Sequence, residues 1–169
     1  RNVEYLENIS EKSGNLEITK INFPLVIVLT QDCDLAQDFK FRFGENNGSN
    51  HDKFLFSVLV APLYNADHFF SGTHLELLNQ SMQEINRKKS PGEFILKNDN
   101  PRYHYLDFPE EIPIVPSVID FKHYFSVNVH YLKNKKKNDF ICKVSELYRE
   151  QITLRFSNFL SRIGLPDQN

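Results

Sequence analysis

Apolar and polar positions change rhythm several times along the chain, and each change predicts an element. Residues 1–15 are polar, with Val3, Leu6 and Ile9 spaced for a short helix that Ser13 and Gly14 break. From Leu16 to Ile21 the pattern alternates, which suits a half-buried strand. Leu25, Val26, Ile27, Val28 and Leu29 are continuously apolar, so they predict a central strand buried on both faces. Residues 31–38 are acidic and leave the end of that strand, and residues 44–50 read as a mobile loop. Phe54 to Ala61 is the next strand, stopped by Pro62. Leu75, Leu78, Met82 and Ile85 predict a helix from Thr73, its N-cap, to Lys89, ended by Ser90, Pro91 and Gly92. Short strands follow near residues 93–97, 102–106 and 114–120. Phe125, Val127, Val129 and Tyr131 then alternate with polar residues, and a lysine-rich turn at 133–138 returns the chain into Phe140, Ile141 and Cys142 as a hairpin. Ser145 caps a last helix through Ile163, with a stripe of Tyr148, Ile152, Phe156, Phe159, Leu160 and Ile163; Gly164 and Pro166 stop it.

These elements predict an α+β fold. A small, strongly bent antiparallel sheet or an SH3-like barrel carries one inserted helix and a C-terminal amphipathic helix. The 169 residues suit a single domain, residues 1–15 being a flexible or partner-contacting N-terminal segment. Fifteen Phe residues without Trp supply a well-filled core. The net charge of −2 provides no global field toward polyanions, so any such site is local. Cys33 and Cys142 are too few for a disulfide framework and read as reduced thiols of a cytoplasmic protein. No apolar run approaches the length that spans a membrane.

Four features carry candidate chemistry. Asp32, Cys33 and Asp34 place a thiol between two carboxylates at a strand end. Flanking anions raise a thiol pKa and oppose nucleophilic use; a metal would suit the same triplet better but needs a further ligand. The alternative is a turn in which the carboxylates bond backbone amides and Cys33 packs inward. Arg102 and His104 share one face of an extended strand, where a phosphate or carboxylate clamp and a proton-transfer group are available; the alternative is a packed histidine. Lys133, Lys135, Lys136 and Lys137 form a local cationic cluster near Tyr124 and Tyr131, suited to phosphates and stacked bases or to a solvated hairpin tip. Arg149, Arg155 and Arg162 on the last helix read as a solvated face or a site for an acidic partner. His68 and His74 lack metal-ligand spacing, and His123 and His130 fall on the solvent side of the late hairpin. There is no glycine-rich phosphate loop, nucleophile elbow or paired CxxC, and no motif implies a cofactor.

The run Pro24-Leu25-Val26-Ile27-Val28-Leu29-Thr30-Gln31-Asp32, with Val58-Leu59-Val60-Ala61-Pro62-Leu63 after it, resembles the MazF/PemK family of toxin ribonucleases. Val118-Ile119-Asp120-Phe121-Lys122 and the closing helix follow in a similar order. The resemblance covers about half the chain and implies an SH3-like barrel. It departs where that family's chemistry lies: Asn22 and Phe23 stand where the family has Arg before the Pro, and Tyr64 where it has Ser or Thr. It therefore implies a divergent or non-catalytic relative. Two expectations result. One is a binding or regulatory module of a bacterial cytoplasmic system of toxin–antitoxin or defence type. It would contact nucleic acid or a protein partner, with a homodimer possible through an exposed helix face. The other is a nuclease-like hydrolase using Asp32, Cys33, Asp34, Arg102 and His104, metal-assisted or not.

Overall fold

The computed structural model describes residues 1–12, 14–44 and 50–162. The chain is α+β. It opens with β1 (Val3–Lys12) and β2 (Asn15–Phe23), paired antiparallel as a two-stranded hairpin around Gly14, which has φ +80°. A helix at 1–15 is thus replaced by a strand. A bulge between Leu6 and Asn8 is the reason: one extra residue puts Leu6 and Ile9, three apart, on one strand face. That spacing imitates a helical repeat.

Next come β3 (Val26–Val28), α1 (Asp32–Phe43) and β4 (Ser57–Asn65). β4 is the central strand, with β3 on one edge. The apolar run at 25–29 accordingly forms an edge strand, and Val28 is exposed. The acidic stretch after it is the first turn of α1, where Asp32 and Asp34 complement the helix dipole. The loop read at 44–50 lies largely outside the described residues, which omit 45–49.

After β4 follow α2 (Ala66–Ser71), α3 (Gly92–Leu96), β5 (Tyr103–Leu106), β6 (Ser117–Asp120) and β7 (Phe125–Asn128). Asn65 caps α2, its side chain accepting from Asp67 N at 2.7 Å and His68 N at 3.4 Å. Gly72, with φ +83°, ends this short helix instead of opening a long one. Most of 73–89 is irregular apart from a 3-10 turn at Glu76–Leu78. Its amides return to the end of α2, Met82 N to Gly72 O at 3.0 Å and Ile85 N to Phe70 O at 2.9 Å. A Cβ on Gly72 would lie 2.0 Å from Met82 O, so that close approach requires glycine. The strand read near 93–97 is instead the short helix α3.

The five-stranded antiparallel sheet runs β3-β4-β6-β5, and β7 also pairs with β4. Among the described residues β3 and β5 are its unjoined ends, and no closed barrel forms. β6 and β7 lie end to end along one edge of β4, interrupted by a 3-10 turn at Phe121–His123. Leu29 N donates to Leu59 O and Leu63 N to Leu25 O, so odd positions of β4 face β3. The Pro62 nitrogen, which has no proton to give, therefore faces the other edge at the point where β6 and β7 part.

The late hairpin is also replaced. Asn128 accepts from His130 N at 2.9 Å and Tyr131 N at 3.3 Å, and starts α4 (Val129–Asp139). An N-cap of this kind stabilises by about 1 kcal/mol, enough to redirect a chain whose lysines disfavour strands. α5 (Glu146–Leu160) starts after Ser145, though the Ser145 side chain makes no capping hydrogen bond, and it buries Ile152 and Phe156; Tyr148 and Leu160 stay exposed. Ile163, Gly164 and Pro166 lie outside the described residues.

Three apolar clusters hold these elements. Val3, Ile21 and Phe23 at the hairpin base pack with Val58, Val60, Phe125 and Val127. Ile27, Leu106, Ile119 and Phe121 lie under Ile152 and Phe156 of α5. Phe69, Phe70, Ile95, Tyr103 and Val118 fill the opposite face of β5 and β6.

Candidate functional site

The structure separates the residues proposed from sequence. Asp32, Cys33 and Asp34 occupy the first turn of α1, with Cys33 exposed rather than packed inward. Asp32 pairs with Arg149 and, at 3.3 Å, with Lys143, so it ties α1 to the start of α5. Cys33 Sγ is within 3.5 Å of Gln31 Oε1 and 3.7 Å of Asp34 Oδ1. Among the described residues, no hydrogen bond or ion pair joins this turn to Arg102 or His104.

Arg102 and His104 are themselves divided by the sheet. Register places Tyr103 opposite Asp120 and His104 opposite Ile119. Successive strand residues face opposite sides, so Asp120 belongs to the Tyr103 face and His104 to the α5 face. Arg102 turns toward Asp120 and donates to both carboxylate oxygens, Nε to Oδ1 at 2.9 Å and Nη2 to Oδ2 at 2.6 Å. His104 is buried beside Phe121, with ring centroids 6.3 Å apart, and its Nδ1 has no partner among the described residues. Burial, then the nearby Arg155 cation, lower its pKa to about 4, so it is neutral at pH 7.

Arg155, read as part of a solvated helix face, is a part-buried bracket. Its guanidinium donates to the carbonyls of Asn98, Asn100 (2.7 Å) and Tyr103 (2.9 Å), joining α5 to the loop before β5. These carbonyls have no strand partner, and one planar cation satisfies all three.

The sheet does assemble a polar chain that sequence reading missed. Asp120 is buried and also accepts from Lys122 N at 2.9 Å. His123 Nε2 lies 3.6 Å from Asp120 Oδ2, and its Nδ1 shares a hydrogen bond of 3.0 Å with the Tyr64 hydroxyl. The Tyr64 ring meets His74 edge-on, centroids 4.7 Å apart. Burial, then the Asp120 charge, push the Tyr64 pKa up, so the phenol keeps its proton. Burial lowers the His123 pKa against the opposing pull of Asp120. Burial, then His123, take that of His74 down to about 4. Tyr64 and His74 line a cleft of about 320 Å³ whose other walls include Pro24, Leu25, Leu77 and Ile114. One signal in the sequence points here: a lone carboxylate, Asp120, closes an apolar run. His123 follows Asp120 by only three residues, but Arg102, Tyr64 and His74 come from three other segments, so no local spacing reveals the whole chain.

The lysine cluster lies on α4, and Lys133 reaches α1. Lys133 Nζ is 3.0 Å from the centroid of Phe43 and 5.8 Å from that of Phe39. Phe43 meets His130 edge-on, centroids 5.5 Å apart, so the C-terminal end of α1 touches the first turn of α4. Lys136 Nζ is 5.8 Å from Phe140. Lys135 is spent on Asp139 at 3.6 Å, which leaves Lys133, Lys136 and Lys137 outside any ion pair given by the described residues. Phe39 and Phe140 remain 58% and 57% exposed, unusual for rings of that size.

No three His, Cys, Asp or Glu side chains among the described residues come together to hold a metal ion. No helix among them is long and apolar enough to cross a membrane. The chain matches no family model, no curated protein and no solved structure.

Proposed function

We propose that this chain is a nucleic-acid-binding module, using the α1–α4 surface to hold a single strand. One observation carries the reading: phenylalanines lie among lysines, Lys133 against exposed Phe39 and half-buried Phe43, and Lys136 against exposed Phe140. Cations alone would fit a solvated helix, and exposed rings alone a protein contact. Together they suit a strand whose phosphates meet lysines and whose bases stack on rings. The bent sheet is read here as a relative of the SH3-like barrel opened between β3 and β5. The order of the Val26–Val28, Ser57–Asn65 and Ser117–Asp120 strands and the closing helix supports that kinship with toxin-family barrels.

Anisotropy of a labelled single-stranded oligonucleotide tests the reading. Three lysines on three phosphates give a log–log salt slope of about −2, hence a roughly twentyfold loss of affinity for a fourfold rise in salt. Exchanging Lys133, Lys136 and Lys137 together for Gln weakens binding at least about tenfold and flattens that slope. Phe39→Ala weakens it about fivefold or more through lost stacking. Absent or salt-independent binding excludes this mode and leaves a protein partner for the surface.

A hydrolytic second reading is favoured by one observation, the chain Asp120–His123–Tyr64 ending at the cleft. In it, Asp120 orients the imidazole, neutral His123 moves a proton, and Tyr64 donates from its retained hydroxyl. His123→Gln would then lower RNA hydrolysis at least about tenfold while leaving the melting temperature within a few degrees. Wild-type protein without turnover ends that reading.

A further inference from the structure

The β1–β2 hairpin leaves the body of the protein after its base. Val3, Ile21 and Phe23 anchor one face in the core, and Tyr5 packs edge-on against Phe125, centroids 5.2 Å apart. Beyond Tyr5 nearly every position is exposed on both faces. A two-stranded ribbon by itself is marginal in water, because it has too little apolar surface to bury. This one nevertheless presents a coherent aliphatic face. Register opposes Ile9 to Ile18, Glu11 to Leu16 and Leu6 to Lys20. Leu6, Ile9, Leu16 and Ile18 therefore share one side, and they are 53%, 58%, 72% and 53% exposed. The other side of the projecting part carries Asn8, Ser10, Glu17 and Thr19. Scattered exposed aliphatics need no explanation, but four in one contiguous stripe on a projecting ribbon mark a contact surface.

We propose that the occupant is a second copy of this chain, whose own arm crosses this one antiparallel, stripe against stripe. Charge selects that partner and that direction. At its base the stripe has the cation Lys20, with Glu4 beside it on the same face, and at its tip the anion Glu11. Two arms laid base to base would set Lys20 on Lys20 and Glu11 on Glu11. Laid base to tip, each Lys20 meets the other copy's Glu11, twice by symmetry, with the aliphatics between them. Lys20 already bonds Glu4 at 2.9 Å, so the crossing encloses each lysine between two carboxylates. The area fits as well. Four half-exposed aliphatic side chains per arm bury on the order of 800 Å² of apolar surface between two copies. With the flanking polar positions the total reaches roughly 1,200 Å², the lower end for a specific interface. A reversible dimer of micromolar affinity is the expected strength.

Sedimentation equilibrium of the full chain across the micromolar range tests this. The wild type forms a dimer whose population grows with concentration. Ile18→Lys, mid-stripe, raises the dissociation constant at least about tenfold. Thr19→Lys, one residue along but on the other face, leaves it unchanged. Leu16→Ser at the tip carries the same test should Ile18→Lys fail to fold, which circular dichroism reports. Zero-length carbodiimide coupling of a mixed heavy- and light-isotope sample joins Lys20 of one copy to Glu11 of the other. A wild type that stays monomeric through the millimolar range overturns the proposal, and so does a dimer indifferent to Ile18→Lys and Leu16→Ser. Linkage of Lys20 to Glu4 between copies, in place of Glu11, overturns the antiparallel crossing.

Discussion

Acidification from pH 6.5 to about 4 is expected to remove several kcal/mol of folding stability, with no carboxylate needed to explain it. His74 and His104 are both buried and both held near pKa 4, against an ordinary value of 6.5. Between these limits the unfolded chain takes up two protons that the folded chain refuses. Stability therefore rises with pH across the window, by up to about 2.7 kcal/mol per pH unit when both contribute fully. His123, whose pKa is also lowered by burial, acts in the same direction. Urea unfolding at half-unit pH steps measures the slope. His104→Leu removes one of the two protons and should bring the slope down to about 1.4 kcal/mol per unit. The same variant should be no less stable at pH 7, since the imidazole Nδ1 it deletes has no partner, the surrounding face of β5 and β6 is apolar, and the one nearby charge, Arg155, disfavours only the protonated ring. An unchanged slope in His104→Leu would mean that this imidazole is not what resists protonation.

The second large effect is at Asp120. Asp120→Ala should cost about 3 kcal/mol, because it strands the Arg102 guanidinium and the Lys122 amide and frees His123. Arg102 is itself about one third exposed and turns partly to water, so the loss stays below the upper range for fully buried pairs. For a domain of this size the change appears as a fall in melting temperature of roughly 10 °C. Combining Asp120→Ala with Arg102→Met should recover part of the loss, since the unpaired cation goes too. A single-variant cost under about 1 kcal/mol would class the pair with ordinary surface bridges.

Where an element's signal was local, the sequence was sufficient to read it. Ser145 before an amphipathic run yields α5, and the alternation from Leu16 to Ile21 yields β2. Phe125 to Val127 pair as a strand as well, until Asn128 offers its side chain to two amides and converts the rest into α4. The lysines stayed together in either conformation, because neighbours in sequence remain neighbours. Their aromatic companions Phe39 and Phe43 were not legible, since α1 is some ninety residues away and only packing brings it across.

What the chain's order alone determined is therefore the class of fold, the closing helix and the concentration of positive charge near residue 135. Tertiary structure decided everything that depends on which strand lies beside which. It moved the apolar run at 25–29 to an edge and made β4 the centre. It took Arg102 from His104 and gave it to Asp120. The physical reason is that a strand's register fixes the face of every side chain at once, and register is set by pairing with residues far along the chain. A single bulge at Leu6–Asn8 shows how small the deciding feature is: one residue turned an apparent helix into a ribbon with an aliphatic side.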